Sequence, residues 1–167
     1  MKKLINKFPT PVILAHWITL VLVLIAYFSS QSPIQDQSLG QIHVLAGGLV
    51  FVFFLIRVIL YFTYRLKFPT ALAMSYWQEK AFQLMKVALY LCLFAVPLVG
   101  WFALSSTQTE FHVLGLSLPL ITMSSTALIG ELHQVIANIF ITLVGLHALA
   151  ALFHHFILKD DVLKSMR

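Results

Sequence analysis

The chain has little charge and almost no cysteine. Of its 167 residues, 10% are Asp, Glu, Lys or Arg, whereas 60% are hydrophobic. This balance excludes an ordinary soluble domain, and the length suits a single compact unit, so we predict one membrane domain over residues 1–167. The only cysteine, Cys92, lies within a hydrophobic stretch. Its isolation excludes a disulfide framework and a thiolate metal site.

Two further signals are absent, the cleavage site of a signal peptide and the basic stripe of a nucleic-acid-binding protein. The first residues, Met1 to Lys3, resemble the start of a signal peptide. The apolar stretch after them lacks a small-residue cleavage site and contains His16, so we interpret it as a membrane span. The net charge of +5 comes from Lys and Arg residues that flank apolar segments. That pattern indicates membrane topology and argues against nucleic acid as a partner.

Four hydrophobic stretches are long enough to cross a bilayer, which takes about 20 helical residues. They cover approximately residues 12–29, 42–64, 81–105 and 132–158. The first stretch follows Pro9 and Pro11, which suit a helix start because the N–H groups that they lack would be unpaired there. We therefore predict an all-α fold, a four-helix transmembrane bundle.

All eleven Lys and Arg residues fall on the same side of this four-span arrangement. Because membrane insertion leaves Lys and Arg in the cytoplasm, we predict an inner-membrane protein with both termini cytoplasmic. The opposite face carries only Asp36, Glu110 and Glu131 as charges. Its long loop, residues 106–131, is apolar enough to lie in the membrane interface as a lid, with His112 as a surface residue.

Four histidines lie inside the predicted spans, where an ionisable side chain is costly and is therefore a candidate for function. His133 and His147 are fourteen residues apart in span four, so they share a helical face and differ in depth by about 21 Å. His43 is level with His133, and His16 is level with His147. The pattern predicts two bis-histidine sites stacked across the bilayer between facing helices. Hydrogen bonding between helices is the alternative for these histidines.

Haem fits such sites better than other metals do. Two axial histidines from different helices clamp an iron porphyrin among apolar side chains, whereas zinc or copper takes three or four close ligands, including Cys or carboxylate. The sequence has no such cluster. Gly47, one turn after His43, leaves room for the macrocycle, although packing of small residues between helices explains it equally well. We therefore predict two haem b cofactors.

Three more residues are candidates for the cytoplasmic side. Arg57 lies fourteen residues after His43 on the same face, where it would pair with a propionate of the inner haem. A side chain that reaches lipid headgroups is the alternative for Arg57. His154, seven residues after His147 on nearly the same face, would bind a propionate or a quinone carbonyl. Lys86 in span three is the second candidate for a quinone site.

Several short motifs, spread over nearly the whole chain, have counterparts in a known family. They are His16-Trp17, Ile42-His43, the stretch from Arg57 to Arg65 leading to Lys67-Phe68-Pro69, Leu89-Tyr90 through Pro97-Leu98-Val99-Gly100, Gly115-Leu116-Ser117-Leu118-Pro119, and Gly145 through His155 ending at Lys159-Asp160. Through these motifs the chain resembles the bacterial cytochrome b561 family of dihaem inner-membrane proteins. The resemblance implies that the axial ligands are His16, His43, His133 and His147. Span three departs from the family pattern, with Gln83 and Lys86 where relatives can carry histidine.

The function predicted from these observations is transmembrane electron transfer by a dihaem b-type cytochrome, to or from the quinone pool. Ubiquinone, membrane lipid and a small-molecule or protein electron donor are the expected partners. One alternative is a superoxide:ubiquinone oxidoreductase, because the family includes a superoxide oxidase. Superoxide, the anionic substrate of such an enzyme, would be attracted by positive charge, which the outer face lacks. Another alternative is a cytochrome b subunit of a larger dehydrogenase. A transporter is disfavoured because the spans lack broken-helix pairs and repeats.

Overall fold

The computed structural model describes residues 7–31, 37–69, 75–121, 127–159 and 162–166. Within these ranges the long helices are α1 (Thr10–Phe28), α2 (Gln37–Tyr64), α3 (Tyr76–Thr107) and α4 (Ala127–Phe153). Helix α4 continues as a π-helical turn, His154–Leu158, and a short helix, α5, covers Val162–Ser165. The four long helices are long and apolar enough to span a membrane. This finding confirms the predicted all-α fold with four membrane-spanning helices.

The helices start earlier than the hydrophobic stretches suggest. Helix α3, for example, begins at Tyr76 rather than near residue 81. A reciprocal capping box defines this start, since Gln78 donates its backbone N–H to the Ser75 hydroxyl and the Ser75 N–H donates to the Gln78 side chain. Hydropathy marks only the part of a helix that crosses the membrane. The polar first turn of α3 is fixed by its capping box instead.

The bundle core lies midway between the two ends and takes one buried side chain from each long helix. These are Val23 of α1, Val50 of α2, Leu93 of α3 and Phe140 of α4. Helix α1 packs mainly on α2, and α3 on α4, with a further contact between α2 and α3. Many other large apolar side chains are exposed on the outside of the bundle. This distribution is expected when lipid covers the outside of a bundle and packing, rather than burial from water, holds the helices together.

A small β-hairpin stands between α3 and α4. Its strands, β1 (His112–Val113) and β2 (Leu116–Ser117), pair antiparallel. Leu114 and Gly115 connect them with φ values of 51° and 81°, because a two-residue type I′ turn requires positive φ at both positions. The Leu114 N–H points to the side-chain oxygen of Gln41, at 3.5 Å, and Val113 is buried. The predicted lid therefore includes a short hairpin against the start of α2, and two-residue strands are too short to leave a sequence pattern.

Both ends of the described chain meet at one end of the bundle. The Phe8 N–H donates to the Ser165 carbonyl at 3.0 Å. The Trp17 indole N–H donates to the Met166 carbonyl, also at 3.0 Å. We call this end the terminal end and the opposite end, which carries the β1–β2 hairpin, the hairpin end. The basic residues that flank the helices lie at the terminal end: Lys7, Arg65, Lys67, Lys80, Lys159 and Lys164.

Candidate functional site

Two pairs of histidines face each other across helices of the bundle. The rings of His16 (α1) and His147 (α4) have centroids 6.3 Å apart and are inclined by 67°. The rings of His43 (α2) and His133 (α4) have centroids 6.2 Å apart and are inclined by 85°. The structure thus brings together the same histidines that were paired from their predicted depths in the membrane. We call them the terminal pair and the hairpin pair, after the ends of the bundle that they approach.

Backbone carbonyl groups orient both rings of the hairpin pair. The Nδ1–H of His43 donates to the Ala26 carbonyl at 2.8 Å, and Ala26 is in the last turn of α1, where carbonyls lack helical partners. The Nδ1–H of His133 donates to the Val96 carbonyl of α3 at 3.1 Å. A carbonyl only accepts, so each Nδ1 carries the proton and each Nε2 keeps its lone pair. Metal-ligating histidines are commonly fixed in this way.

Gly100 of α3 is part of the hairpin pair's surroundings, although the sequence did not single it out as a site residue. A Cβ built on Gly100 would lie 2.8 Å from Cε1 of His133. A Cβ at Gly47, the glycine chosen from the sequence, would meet nothing within 4 Å among the described residues. Helix packing therefore does not explain Gly47. The glycine that contacts a paired histidine is Gly100.

Arg57 lies beside the terminal pair, at the level that its spacing predicted. Its Nη1 donates to Nδ1 of His16 at 3.1 Å, and its guanidinium lies over the Tyr90 ring, with Cζ 5.3 Å from the centroid. Its Nε is buried and has no hydrogen-bond partner among the described residues. The two pairs therefore differ. Nδ1 of His43 and of His133 donates to a carbonyl, whereas Nδ1 of His16 accepts from a cation, which puts the proton of a neutral His16 ring on Nε2. Ligation of a metal through this Nε2 would require the proton to move to Nδ1 and Arg57 to turn to another acceptor.

The two residues predicted for a quinone site occupy different places toward the terminal end. Lys86 lines a groove of about 440 Å³ between α2 and α3, which is otherwise walled by aromatic and aliphatic side chains, among them Tyr61, Phe94 and Tyr90. Tyr90 links this groove to Arg57. His154 begins the π-helical turn, a feature that is frequent at functional sites. It is not one of the residues that line the groove.

The other histidine, cysteine and acidic side chains of the described ranges form no comparable centre. His112 is exposed on the hairpin, with Nε2 at 4.0 Å from a Glu110 carboxylate oxygen, which agrees with a surface position. Within the described parts of the chain, no group of three or more His, Cys, Asp or Glu side chains is arranged to hold a metal ion directly. Cross-helix histidine pairs are instead suited to a metal that brings its own equatorial ligands, as iron in a porphyrin does.

Histidines paired between facing helices of a membrane-spanning bundle are the ligand arrangement of a membrane-bound b-type cytochrome. A profile described as prokaryotic cytochrome b561 matches residues 7–167. The chain is 34% identical over 172 aligned positions to cytochrome b561 homolog 1 of Escherichia coli (strain K12), covering 96% of this chain and 97% of that protein. It is 30% identical to the probable superoxide oxidase CybB of Yersinia pestis, covering 90% of each. The chain belongs to the prokaryotic cytochrome b561 family.

Membership makes the protein a multi-pass bacterial membrane cytochrome that binds haem b and transfers electrons, and the residues present fit that cofactor. Two metal–nitrogen bonds of about 2 Å, plus roughly 1 Å from each nitrogen to its ring centre, separate two axial imidazoles by about 6 Å. The observed separations are 6.2 and 6.3 Å. The Nε of Arg57, which has no hydrogen-bond partner in the part of the chain that the structure describes, supplies a buried cationic donor of the kind that a carboxylate would satisfy.

Proposed function

We propose that the protein is a dihaem b-type cytochrome that carries electrons across the bacterial inner membrane between an external donor and the quinone pool. The observation that supports this most strongly is the presence of two histidine pairs on one helix, with His133 and His147 each facing a histidine of another helix. The hairpin pair would hold one haem b and the terminal pair the other. Bound haem supplies reversible one-electron chemistry.

The polypeptide fixes the positions of the two proposed haem sites and excludes water from the space between them. Because α4 carries one histidine of each pair, its rise of 1.5 Å per residue fixes the two sites about 21 Å apart along the helix. The buried side chains of Val23, Val50, Leu93 and Phe140 form the core of the bundle. An apolar layer of this kind keeps water and ions from crossing while electrons pass between the sites. The carbonyls of Ala26 and Val96 hold the hairpin-pair rings in the ligating tautomer.

We further propose that the terminal end faces the cytoplasm. The basic residues that flank the helices, among them Arg65, Lys67 and Lys159, lie at this end. By the positive-inside rule, both termini would be cytoplasmic, the terminal pair would be the inner site and the hairpin pair the outer one. Electrons exchanged with the quinone pool at the cytoplasmic side would then pass through His16 and His147.

Ubiquinone is the proposed redox partner at the terminal end. The groove beside Lys86 is lined mainly by apolar and aromatic residues, which suits a quinone ring and its isoprenoid tail. The Lys86 ammonium is a donor for a quinone carbonyl. Tyr90 is common to the groove and to the contact with Arg57, so a quinone in this groove would lie close to the terminal pair. His154 is the other proposed ligand, from its position two turns beyond His147.

Superoxide:ubiquinone oxidoreductase is the second candidate function. It is supported by the similarity to a Yersinia pestis protein named probable superoxide oxidase. The loops of the proposed outer face, residues 31–41 and 106–131, contain no Lys or Arg. Long-range electrostatic attraction of an anion from basic side chains is therefore weak on that face. For this reason we place superoxide after a general quinone-linked electron carrier.

The test is a reduced-minus-oxidised optical spectrum with the haem-to-chain ratio of the purified protein. We expect a low-spin b-type spectrum and about two haems per chain, because each pair would supply both axial positions of one iron. His147→Ala should lower the ratio to about one by removing only the terminal-pair haem. His112→Ala is the matched control, since that histidine is exposed on the hairpin, and it should leave the ratio unchanged.

Either of two results would contradict the proposal. A ratio near one in the unmodified protein would mean that one of the histidine pairs holds no haem. Loss of both haems from His147→Ala, with helical content preserved by circular dichroism, would mean that the ligands are not paired as proposed.

A further inference from the structure

We propose, on the basis of the proposed dihaem function, that Gly100 is a positioning residue for the outer haem: its missing side chain lets the His133 ring reach the Val96 carbonyl. Gly100 lies four residues after Val96 on α3, so the two positions share one face of the helix. The His133 ring of α4 rests against this face. Its Nδ1–H donates to the Val96 carbonyl at 3.1 Å.

The distances around Gly100 leave no room for a larger residue. A Cβ at this position would lie 2.8 Å from Cε1, 3.1 Å from Nδ1 and 3.5 Å from Nε2 of His133. These are the three nearest atoms, and all belong to the same imidazole ring. The close approach of α3 and α4 at this point is therefore an approach of the ring to the backbone of α3. General packing of small residues between two helices would bring other side chains or backbone equally close.

The Val96 contact has a chemical consequence for His133. With the proton held on Nδ1, the lone pair stays on Nε2, which is the atom available to a metal ion. An imidazole that donates its other N–H to a carbonyl is a stronger electron donor to that metal. A stronger donor stabilises oxidised iron, so this contact lowers the reduction potential at the hairpin pair. The terminal pair lacks this arrangement at His16, whose Nδ1 accepts from Arg57.

The test compares Gly100→Ala with Gly48→Ala in the purified holoprotein. Ordinary contact begins at 3.4 Å, so the alanine methyl must displace the His133 ring away from Val96. We expect either selective loss of the hairpin-pair haem, with the haem-to-chain ratio falling by about half, or a rise in its midpoint potential. The terminal-pair haem should keep its spectrum and potential. Gly48→Ala should change neither haem, because a Cβ there meets nothing within 4 Å among the described residues.

The variant Val96→Ala distinguishes the role of the Val96 carbonyl from that of the Val96 side chain. The backbone acceptor remains in this variant, so the potential of the hairpin-pair haem should stay at its original value. Three outcomes in Gly100→Ala would overturn the proposal: an unchanged hairpin-pair haem, a fall in the potential of that haem, or loss of both haems together. Loss of both haems would mean that Gly100 supports the fold as a whole and does not specifically position the His133 ring. A single haem in the unmodified protein would instead contradict the dihaem function itself.

Discussion

Replacing Arg57 by Leu should lower the midpoint potential of the haem at the terminal pair. The guanidinium lies within the membrane-spanning helix α2, with Nη1 3.1 Å from Nδ1 of His16. A nearby positive charge favours the reduced haem, which is the less positive of the two redox states. Removing that charge therefore stabilises the oxidised state and moves the potential downward.

The size of the shift follows from the position of the charge. A haem iron bound to the His16 ring would lie about 7 Å from a guanidinium that stays beside that ring. At an effective dielectric constant of about 20, a unit charge at this distance contributes between about 2 and 3 kcal/mol. For a one-electron couple this equals about 100 mV.

Potentiometric titration followed by optical spectroscopy measures the shift for each haem. Arg57→Lys should retain most of the original potential because it keeps the charge, whereas Arg57→Gln should behave like Arg57→Leu because it keeps only a donor. Arg65→Leu is the matched control, since Arg65 is exposed in the turn after α2. A shift below about 20 mV in Arg57→Leu, with both haems retained, would refute the electrostatic role and indicate that an anion, either a haem propionate or a lipid headgroup, neutralises the charge.

Two further predictions concern the partners at each end of the bundle. His154→Ala and Lys86→Met each remove one side-chain hydrogen-bonding group, so each should slow the reoxidation of reduced haem by a soluble ubiquinone analogue by about tenfold. The haem spectrum should stay intact. A variant with an unchanged rate would exclude its residue from the proposed site. Haem reduction by superoxide, followed by stopped-flow absorbance, should change little when ionic strength rises about tenfold, because the proposed outer loops contain no Lys or Arg. A steep fall with salt would show electrostatic steering from another source and would make superoxide oxidase the preferred function.

The partners in each histidine pair were predictable from the sequence because a helix converts residue spacing into depth. Fourteen residues between His133 and His147 give both a shared face and a fixed separation. The same conversion put Arg57 at the level of His16. The spacing did not predict which atom the guanidinium contacts, because the depth of a residue does not determine the direction of a long side chain.

The sequence did not predict the rotation of α3 about its own axis, that is, which face of α3 contacts the neighbouring helices. A helix that is apolar on all sides gives no sign of which face meets its neighbour, so Gly100 could not be distinguished from other glycines of the spans. Gly47 was predicted as a site residue because it follows His43 by one turn on the same helix, a spacing that the sequence shows. The contact of Gly100 with His133 is between two different helices and leaves no such spacing in the sequence. Polar first turns and the two-residue strands of the hairpin were missed for a related reason, since both depend on local backbone hydrogen bonds and not on hydrophobic periodicity.

The contribution of α4 to both pairs has a consequence for biosynthesis. Helix α4 follows the other three long helices in the chain, so it is synthesised after them, and it carries His133 and His147. Until it enters the membrane, the first three helices present only His16 and His43, each without its opposing ring. If the proposed histidine pairs hold haem, a chain interrupted before α4 would have no complete iron site at either depth. Loading with haem would then be coupled to completion of membrane insertion, and a truncated product would not retain a redox-active cofactor.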